Sequence, residues 1–306
     1  MARTEQLTIP DLQGRRVLVT GASDGIGLEI AARFAGAGAE VVMPVRNRGK
    51  GAAAVARISE RHPGASVVLE DLELSSLASI AALGDRLRSD GTPIDVFVGN
   101  AGVMTPPERR TTEDGFELQF GTNHLGHVAL VGGVLPLLRA ARGRVVMQTS
   151  VAAQRASIRW DDLQFERDYN GGRAYGQSKL ACALFALELG RRSRSGGWGV
   201  TSAVSHPGVA PTSLLAARPE IGRGGDTPQV RVIRWLSARG LLVGTPATAA
   251  EPALLAATDP AMDGGFSGPT GIGQLGGPAG GRTPWAPMLR DADAARLWDV
   301  SEALIS

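Results

Sequence analysis

Val17-Leu18-Val19-Thr20-Gly21-Ala22-Ser23-Asp24-Gly25-Ile26-Gly27 is a short apolar run that passes through three glycines into a periodically apolar segment. The run reads as a strand over 17–20 and the segment as a helix over 26–37. Gly21 permits a tight turn, Gly25 a close approach of backbone, and Gly27 the packing of helix on strand. The first N–H groups of such a helix lack intrahelical partners and face an anion. A plain glycine turn is the alternative. Placement at the start of a βα unit favours a phosphate loop.

Working outward, the alternation continues. Apolar runs at 41–45, 66–69, 94–98, 144–147 and 200–204 read as strands, and 51–61, 75–88, 113–139 and 174–194 as helices. Short strands alternating with helices give βαβ units and a parallel sheet. The strands are apolar throughout, as suits a sheet covered on both faces. Right-handed crossovers bring the strand C-termini to one edge, where open α/β sheets bind ligands. Pro44 should end the second strand early or bulge it. Residues 218–228 and 264–287 are rich in Gly and Pro and read as loops, and 291–304 as a terminal helix. With no internal repeat and no domain-scale linker, residues 1–306 read as a single domain with decorations after residue 205. It carries a substrate loop or lid at about 209–245 and a C-terminal extension at about 265–306.

Composition excludes several classes. The 306 residues are 43% hydrophobic and 20% charged, which rules out general disorder and a fibrous protein. Thirty-two bases against 30 acids leave a net charge of +2, too weak and too evenly spread for a nucleic-acid partner. The longest nearly unbroken apolar stretch, 128–138, is too short to cross a bilayer, so no integral membrane segment is expected. Residues 1–16 lack the apolar core of a secretory signal. Cys182 is the one cysteine, which excludes an intramolecular disulfide and a cysteine-based metal cluster; a cytoplasmic location fits. Its place three residues after Lys179 suits a small packed side chain better than a reactive thiol. His124 and His127 lie three apart without a carboxylate cluster, and no metal site is expected.

Further motifs follow in order. Asn100-Ala101-Gly102 closes the fourth strand; Asn123 lies within Phe120-Gly121-Thr122-Asn123-His124-Leu125-Gly126-His127; Ser150 ends the fifth strand; Tyr175 and Lys179 form Y-x-x-x-K; Pro207-Gly208 precedes Thr212. Together with T-G-x-x-x-G-I-G at 20–27, this set resembles the short-chain dehydrogenase/reductase family over roughly residues 15–212. The tail resembles its retinol-dehydrogenase-like and protochlorophyllide-reductase-like branch. The resemblance implies a Rossmann-like α/β fold: a doubly wound parallel sheet of about seven strands with helices on both faces. It further implies a nicotinamide dinucleotide held by Gly21, Ser23, Gly25, Ile26, Gly27, Arg46, Asn47, Asp71, Leu72, Asn100, Ala101, Gly102, Tyr175, Lys179, Pro207, Gly208 and Thr212. Within that set Asp71 resembles the family's adenine-contacting acid, with a surface turn aspartate as the alternative. Asn123, Ser150, Tyr175 and Lys179 match the family's catalytic set.

Dinucleotide folds that select NAD end the second strand in an acid that holds the ribose 2′-hydroxyl. Here Val45 holds that place, followed by Arg46, Asn47 and Arg48. A guanidinium matches a 2′-phosphate, so NADP(H) is the expected cofactor, with NAD(H) left open. Asp24, in the phosphate turn, is a counter-signal. Tyr175 and Lys179, four apart, share a helix face. A free tyrosine titrates at about 10, and a nearby ammonium favours phenolate. Lysine is scarce, only Lys50 and Lys179, which makes the pairing hard to ascribe to chance. Ser150 can hydrogen-bond a substrate carbonyl oxygen. For Asn123 the resemblance implies a water linking Lys179 to solvent, and a helix-kink role is compatible with it.

The expected reaction interconverts a carbonyl and an alcohol on a lipophilic small molecule, with Tyr175 as acid or base. C=C reduction of a natural product and non-catalytic nucleotide binding are the competing readings. The gap between Ser150 and Tyr175 is longer than in most of the family. Trp160, Phe165 and Tyr169 within it are candidates to line or cover the pocket, as are Trp235, Leu236, Leu241 and Leu242 in the lid. Trp160-Asp161-Asp162 otherwise reads as a solvated loop. The long apolar helices 113–139 and 174–194 resemble the family's dimer-forming pair, so a homodimer or homotetramer is the partner expectation.

Overall fold

The computed structural model describes residues 7–212, 214, 221–222, 234–239 and 243–306. Among them eight strands form one sheet in the order β3-β2-β1-β4-β5-β6-β7-β8. These are β1 (Arg16–Val19), β2 (Glu40–Val45), β3 (Val67–Asp71), β4 (Val96–Gly99), β5 (Arg144–Gln148), β6 (Thr201–Ser205), β7 (Phe266–Pro269) and β8 (Ala279–Gly281). All neighbours pair parallel except β7 and β8.

The helices are α1 (Gly25–Gly36), α2 (Arg48–Arg61), α3 (Leu77–Asp90), α4 (Gly126–Ala141), α5 (Gly171–Gly196), α6 (Pro246–Thr258) and α7 (Asp291–Ile305). Two cores flank the sheet. Val17, Val19, Val96 and Val98 pack with Ile30 and Phe34 of α1, Ile58 of α2 and Leu254 of α6. The intervening Leu18 and Phe97 point the other way, toward Leu83 of α3, Val131 of α4, Leu184 of α5 and Leu297 of α7. Successive strand residues alternate between faces, and both faces are covered, which is why Val17–Val19 and Val96–Val98 are apolar throughout.

Three readings are corrected. Pro44 neither ends nor bulges β2, which pairs with β3 through Pro44↔Glu70 and Val45↔Asp71. The Glu40 N–H bonds Arg15 O and the Val41 N–H bonds Ser66 O. By that alternation the Pro44 nitrogen faces β1, where the register already ends at Val42↔Leu18, so the missing donor costs no partner. Second, segment 113–139 is not one α-helix. Thr111 and Glu117 form a bridge, a π-helical stretch spans Phe120–Leu125, and α4 begins at Gly126.

Third, the Gly/Pro-rich 264–287 holds β7 and β8, which lengthen the sheet from about seven strands to eight. Gly268 is small by necessity there, since a Cβ would lie 2.4 Å from the His206 ring. The helical segment around the apolar stretch 128–138 is longer than the stretch itself. Phe120–Ala141 is continuous, with a mean hydropathy of 1.3 over its most apolar window, and is long enough by length and composition to cross a membrane. Here it packs into the core, with Val128, Leu130, Val131, Val134, Leu137 and Leu138 buried.

The terminal helix forms where the periodicity placed it and packs over α5. Trp298 stacks on Phe185 at 5.3 Å between ring centroids, Asp299 accepts from Arg192 at 2.7 Å, and Ser301 Oγ meets His124 Nε2 at 2.7 Å.

Candidate active site

The C-terminal ends of β1 to β4 open into a cleft of ≈ 940 Å³, which Thr212, Leu214 and Ile221 beyond β6 also line. Its floor is the glycine turn. Asp24 starts α1, its side chain accepting from the Gly25 N–H at 2.7 Å. Gly21 has φ +67°, and a Cβ there would stand 2.8 Å from Ala101 Cα; one on Gly27 would stand 2.2 Å from Gly21 O. No side chain fits either position, so the β1–α1 and β4 turns meet backbone to backbone.

Thr20 is the hub of that junction. Its Oγ1 accepts from the N–H groups of Asn100 and Ala101, both at 3.0 Å, and meets His127 Nε2 at 2.9 Å. His127 Nδ1 lies 2.8 Å from Asn123 O. A carbonyl only accepts, so Nδ1 carries the proton, and in the neutral ring Nε2 accepts from Thr20. Burial holds His127 down at about 4.

Residues 120–125 carry Asn123 into this network. Its Oδ1 accepts from the Val103 N–H at 2.8 Å, and its Nδ2 donates to Val103 O and Ser178 Oγ. The Cys182 thiol bonds the same Asn123 carbonyl at 3.1 Å, and burial pushes the thiol up. Cys182 is fully packed, as its place beside Lys179 suggested.

Asn170 caps α5, accepting from the Arg173 N–H at 2.9 Å, and the helix sets Tyr175 and Lys179 one turn apart, both buried. Lys179 Nζ donates to Gln148 O at 3.2 Å, and Lys179 O accepts from Thr149 Oγ1 at 2.6 Å. A Cβ on Gly102 would lie 3.0 Å from Asn123 Oδ1 and 3.5 Å from Lys179 Nζ, so the amide and the amine meet beside Gly102. Ser150 caps the short 3-10 turn Val151–Arg155. Gly176, next to Tyr175, lets that turn close to 3.0 Å between Ala152 O and a would-be Cβ.

Of the expected cofactor residues, Gly21, Ser23, Gly25, Ile26, Gly27, Arg46, Asn47, Leu72, Asn100, Ala101, Gly102 and Thr212 line the cleft. Asn47 also caps α2, its Oδ1 accepting from the Lys50 N–H at 2.9 Å. Asp71 does not line it, and neither do Tyr175, Lys179, Pro207, Gly208 or the catalytic candidates Asn123 and Ser150. Both Asp71 carboxylate oxygens accept from Arg48, at 2.7 and 2.8 Å, and that hydrogen-bonded guanidinium holds the carboxyl below its usual range. Pro207 and Gly208 follow β6 at the same edge, where the Gly208 N–H donates to His206 Nδ1 at 3.1 Å.

Sequence reasoning passed over Lys50, Arg57, Glu73 and Arg110, which also line the cleft. Lys50 and Arg57 stand seven apart on α2, the spacing of one helix face, and that is the signal that would have found them.

The aromatic residues between Ser150 and Tyr175 turn elsewhere; none of them lines the cleft. Trp160 Nε1 donates to Asp293 at 3.0 Å, Phe165 is buried, and the Tyr169 hydroxyl donates to Pro106 O at 3.1 Å. Burial, with Glu117 nearby, pushes Tyr169 up to about 12, and burial raises the Glu117 carboxyl. Asp162 is likewise buried, its Oδ1 accepting from the Glu166 N–H at 2.8 Å. Within residues 209–245, Leu214 and Ile221 line the cleft and Trp235 is half exposed, whereas Leu241 and Leu242 lie outside the described residues.

The short chain dehydrogenase family model matches residues 15–220. Human retinol dehydrogenase 13 is 37% identical over 97% of this chain and 86% of its own length, and human retinol dehydrogenase 14 is 32% identical over 96% and 87%. Among solved structures, an uncharacterized protein from Mycobacterium paratuberculosis superposes with a TM-score of 0.77 at 32% identity, covering 97% of this chain and 95% of that one. The RhlG protein of Pseudomonas aeruginosa, solved as an NADP active-site complex, superposes at 0.62 with 25% identity, covering 84% and 94%. With the glycine turn, the cleft and the tyrosine–lysine helix all in place, this chain belongs to the short-chain dehydrogenase family and is an oxidoreductase of that type.

Proposed function

We propose that this enzyme uses NADP(H) to interconvert a carbonyl and an alcohol on a lipophilic small molecule. One observation carries the reading: a cleft floored by glycine backbone has a basic stripe, Arg46, Lys50 and Arg57, at its β2 end, and a Cβ on Gly102 of its lining would lie 3.5 Å from Lys179 Nζ. The glycine turn fits a pyrophosphate, since a Cβ at Gly21 or Gly27 would clash. The stripe fits a 2′-phosphate. The Pseudomonas neighbour is described with NADP, and the human relatives are named for retinol, a lipophilic alcohol.

When bound, the nicotinamide supplies or accepts the hydride. The chain's own residues handle the proton. The Tyr175 hydroxyl donates to the carbonyl oxygen in reduction and accepts in oxidation. The Lys179 ammonium, anchored on Gln148 O, stabilises the phenolate. The Ser150 hydroxyl donates a second hydrogen bond to the same oxygen. Asn123, saturated by Val103 and Ser178, fixes the wall around Lys179.

The test is NADPH oxidation over a panel of aldehydes and ketones graded in chain length, with product mass identified. Turnover should rise with apolar length. Arg46→Ala should weaken NADPH binding about 10–100-fold and NADH binding little. Equal losses on both cofactors would remove the NADP(H) assignment, and a product reduced at C=C would remove the carbonyl one.

A further inference from the structure

We infer that Glu73 sets how strongly this enzyme prefers NADP(H) over NAD(H), by pairing with Arg46 and opposing the 2′-phosphate. The inference rests on the proposed role of Arg46. Glu73 lies just past β3, whose Asp71 pairs with Val45 at the end of β2, and it lines the cleft with Arg46. Its Oε2 is 3.5 Å from Arg46 Nη1.

The carboxylate is built into place. Oε1 accepts from the Ser75 N–H at 3.1 Å and from the Ser75 hydroxyl at 2.8 Å. The Glu73 N–H donates to Ser79 Oγ at 2.9 Å, and Glu73 O accepts from the Ser76 N–H at 3.1 Å. One oxygen is therefore tied to the loop and the other is left for Arg46.

A 2′-phosphate on Arg46 must take the guanidinium from this carboxylate and then sit near a fixed negative charge. A cofactor bearing only a 2′-hydroxyl pays neither cost, and a carboxylate can accept from that hydroxyl. Arg46 and Glu73 thus oppose each other on one atom of the cofactor. The neighbouring Arg48–Asp71 pair differs: its bidentate contact consumes both carboxylate oxygens, and Asp71 stays outside the cleft.

Glu73→Gln keeps an Oε1 acceptor for Ser75 and removes the charge. NADPH and NADH dissociation constants should be measured by fluorescence titration for the wild type, Glu73→Gln, Arg46→Ala and the double variant. Glu73→Gln should tighten NADPH about two- to fivefold, the scale of one exposed charge pair, without tightening NADH. In the Arg46→Ala background that gain should shrink. An unchanged NADPH constant, or equal gains on both cofactors, would overturn the role of Glu73 while a selective Arg46→Ala loss left the role of Arg46 standing. A non-selective Arg46→Ala loss would take both down.

Discussion

Thr20 and His127, 107 positions apart in the chain, are joined by a 2.9 Å hydrogen bond that ties the end of β1 to the carbonyl of Asn123. The Thr20 hydroxyl also receives two backbone N–H groups from the β4 turn. Thr20→Val keeps the shape and leaves these groups without their partner. A loss of about 1–3 kcal/mol in denaturant unfolding should follow, with weaker dinucleotide binding. Thr20→Ser should restore both.

Acid should destabilise the fold through its histidines. Burial lowers His124 to about 3 and His127 and His206 to about 4. Between those values and the unfolded value of about 6.5 the unfolded chain binds more protons, so stability rises with pH there. It should fall as the solution is acidified from about 6.5 toward 4. The raised Glu117 carboxyl acts in the opposite sense, its contribution lost as pH rises through its folded value. Unfolding curves taken across this range check the sign, and His127→Gln should flatten the acid limb.

The single thiol should be silent in the native enzyme. Cys182 is buried, its Sγ donates to Asn123 O at 3.1 Å, and burial pushes its titration up. A disulfide reagent should titrate no thiol until denaturant is added, then one per chain. Rapid native labelling would contradict this packing.

Trp298 fastens the terminal helix. Its ring stacks on Phe185 and lies under the Arg192 guanidinium, 4.9 Å from the ring centroid. Trp298→Ala should cost about 3–5 kcal/mol in unfolding experiments. Trp298→Phe should recover most of that.

Sheet, helix order and glycine turn were legible because they rest on local pattern: apolar runs, helical spacing, and glycines where a side chain would strike backbone. Pro44 misled because its effect depends on which neighbour its nitrogen faces, and the end of β1 settles that. Residues 113–117 misled because the Glu117 carboxylate accepts the Phe120 N–H at 2.7 Å and starts the helix late. Phe266 and Trp285 turn a Gly/Pro-rich tail into sheet edge by packing with His206, contacts between residues far apart in the chain. Trp160 looked like a pocket residue until Asp293 of the terminal helix took its N–H. The site motifs were readable by type and order, whereas Glu73, Lys50 and Arg57 belong to the site only through the way β2, α2 and β3 pack.

In the proposed reaction the Tyr175 hydroxyl is the proton donor. Tyr175→Phe should be assayed for carbonyl reduction alongside NADPH titration of the same preparation. Turnover should fall about 10²–10⁴-fold, the scale of general acid catalysis, while the NADPH dissociation constant stays close to that of the wild type. Turnover retained at the wild-type level with cofactor binding intact would contradict it.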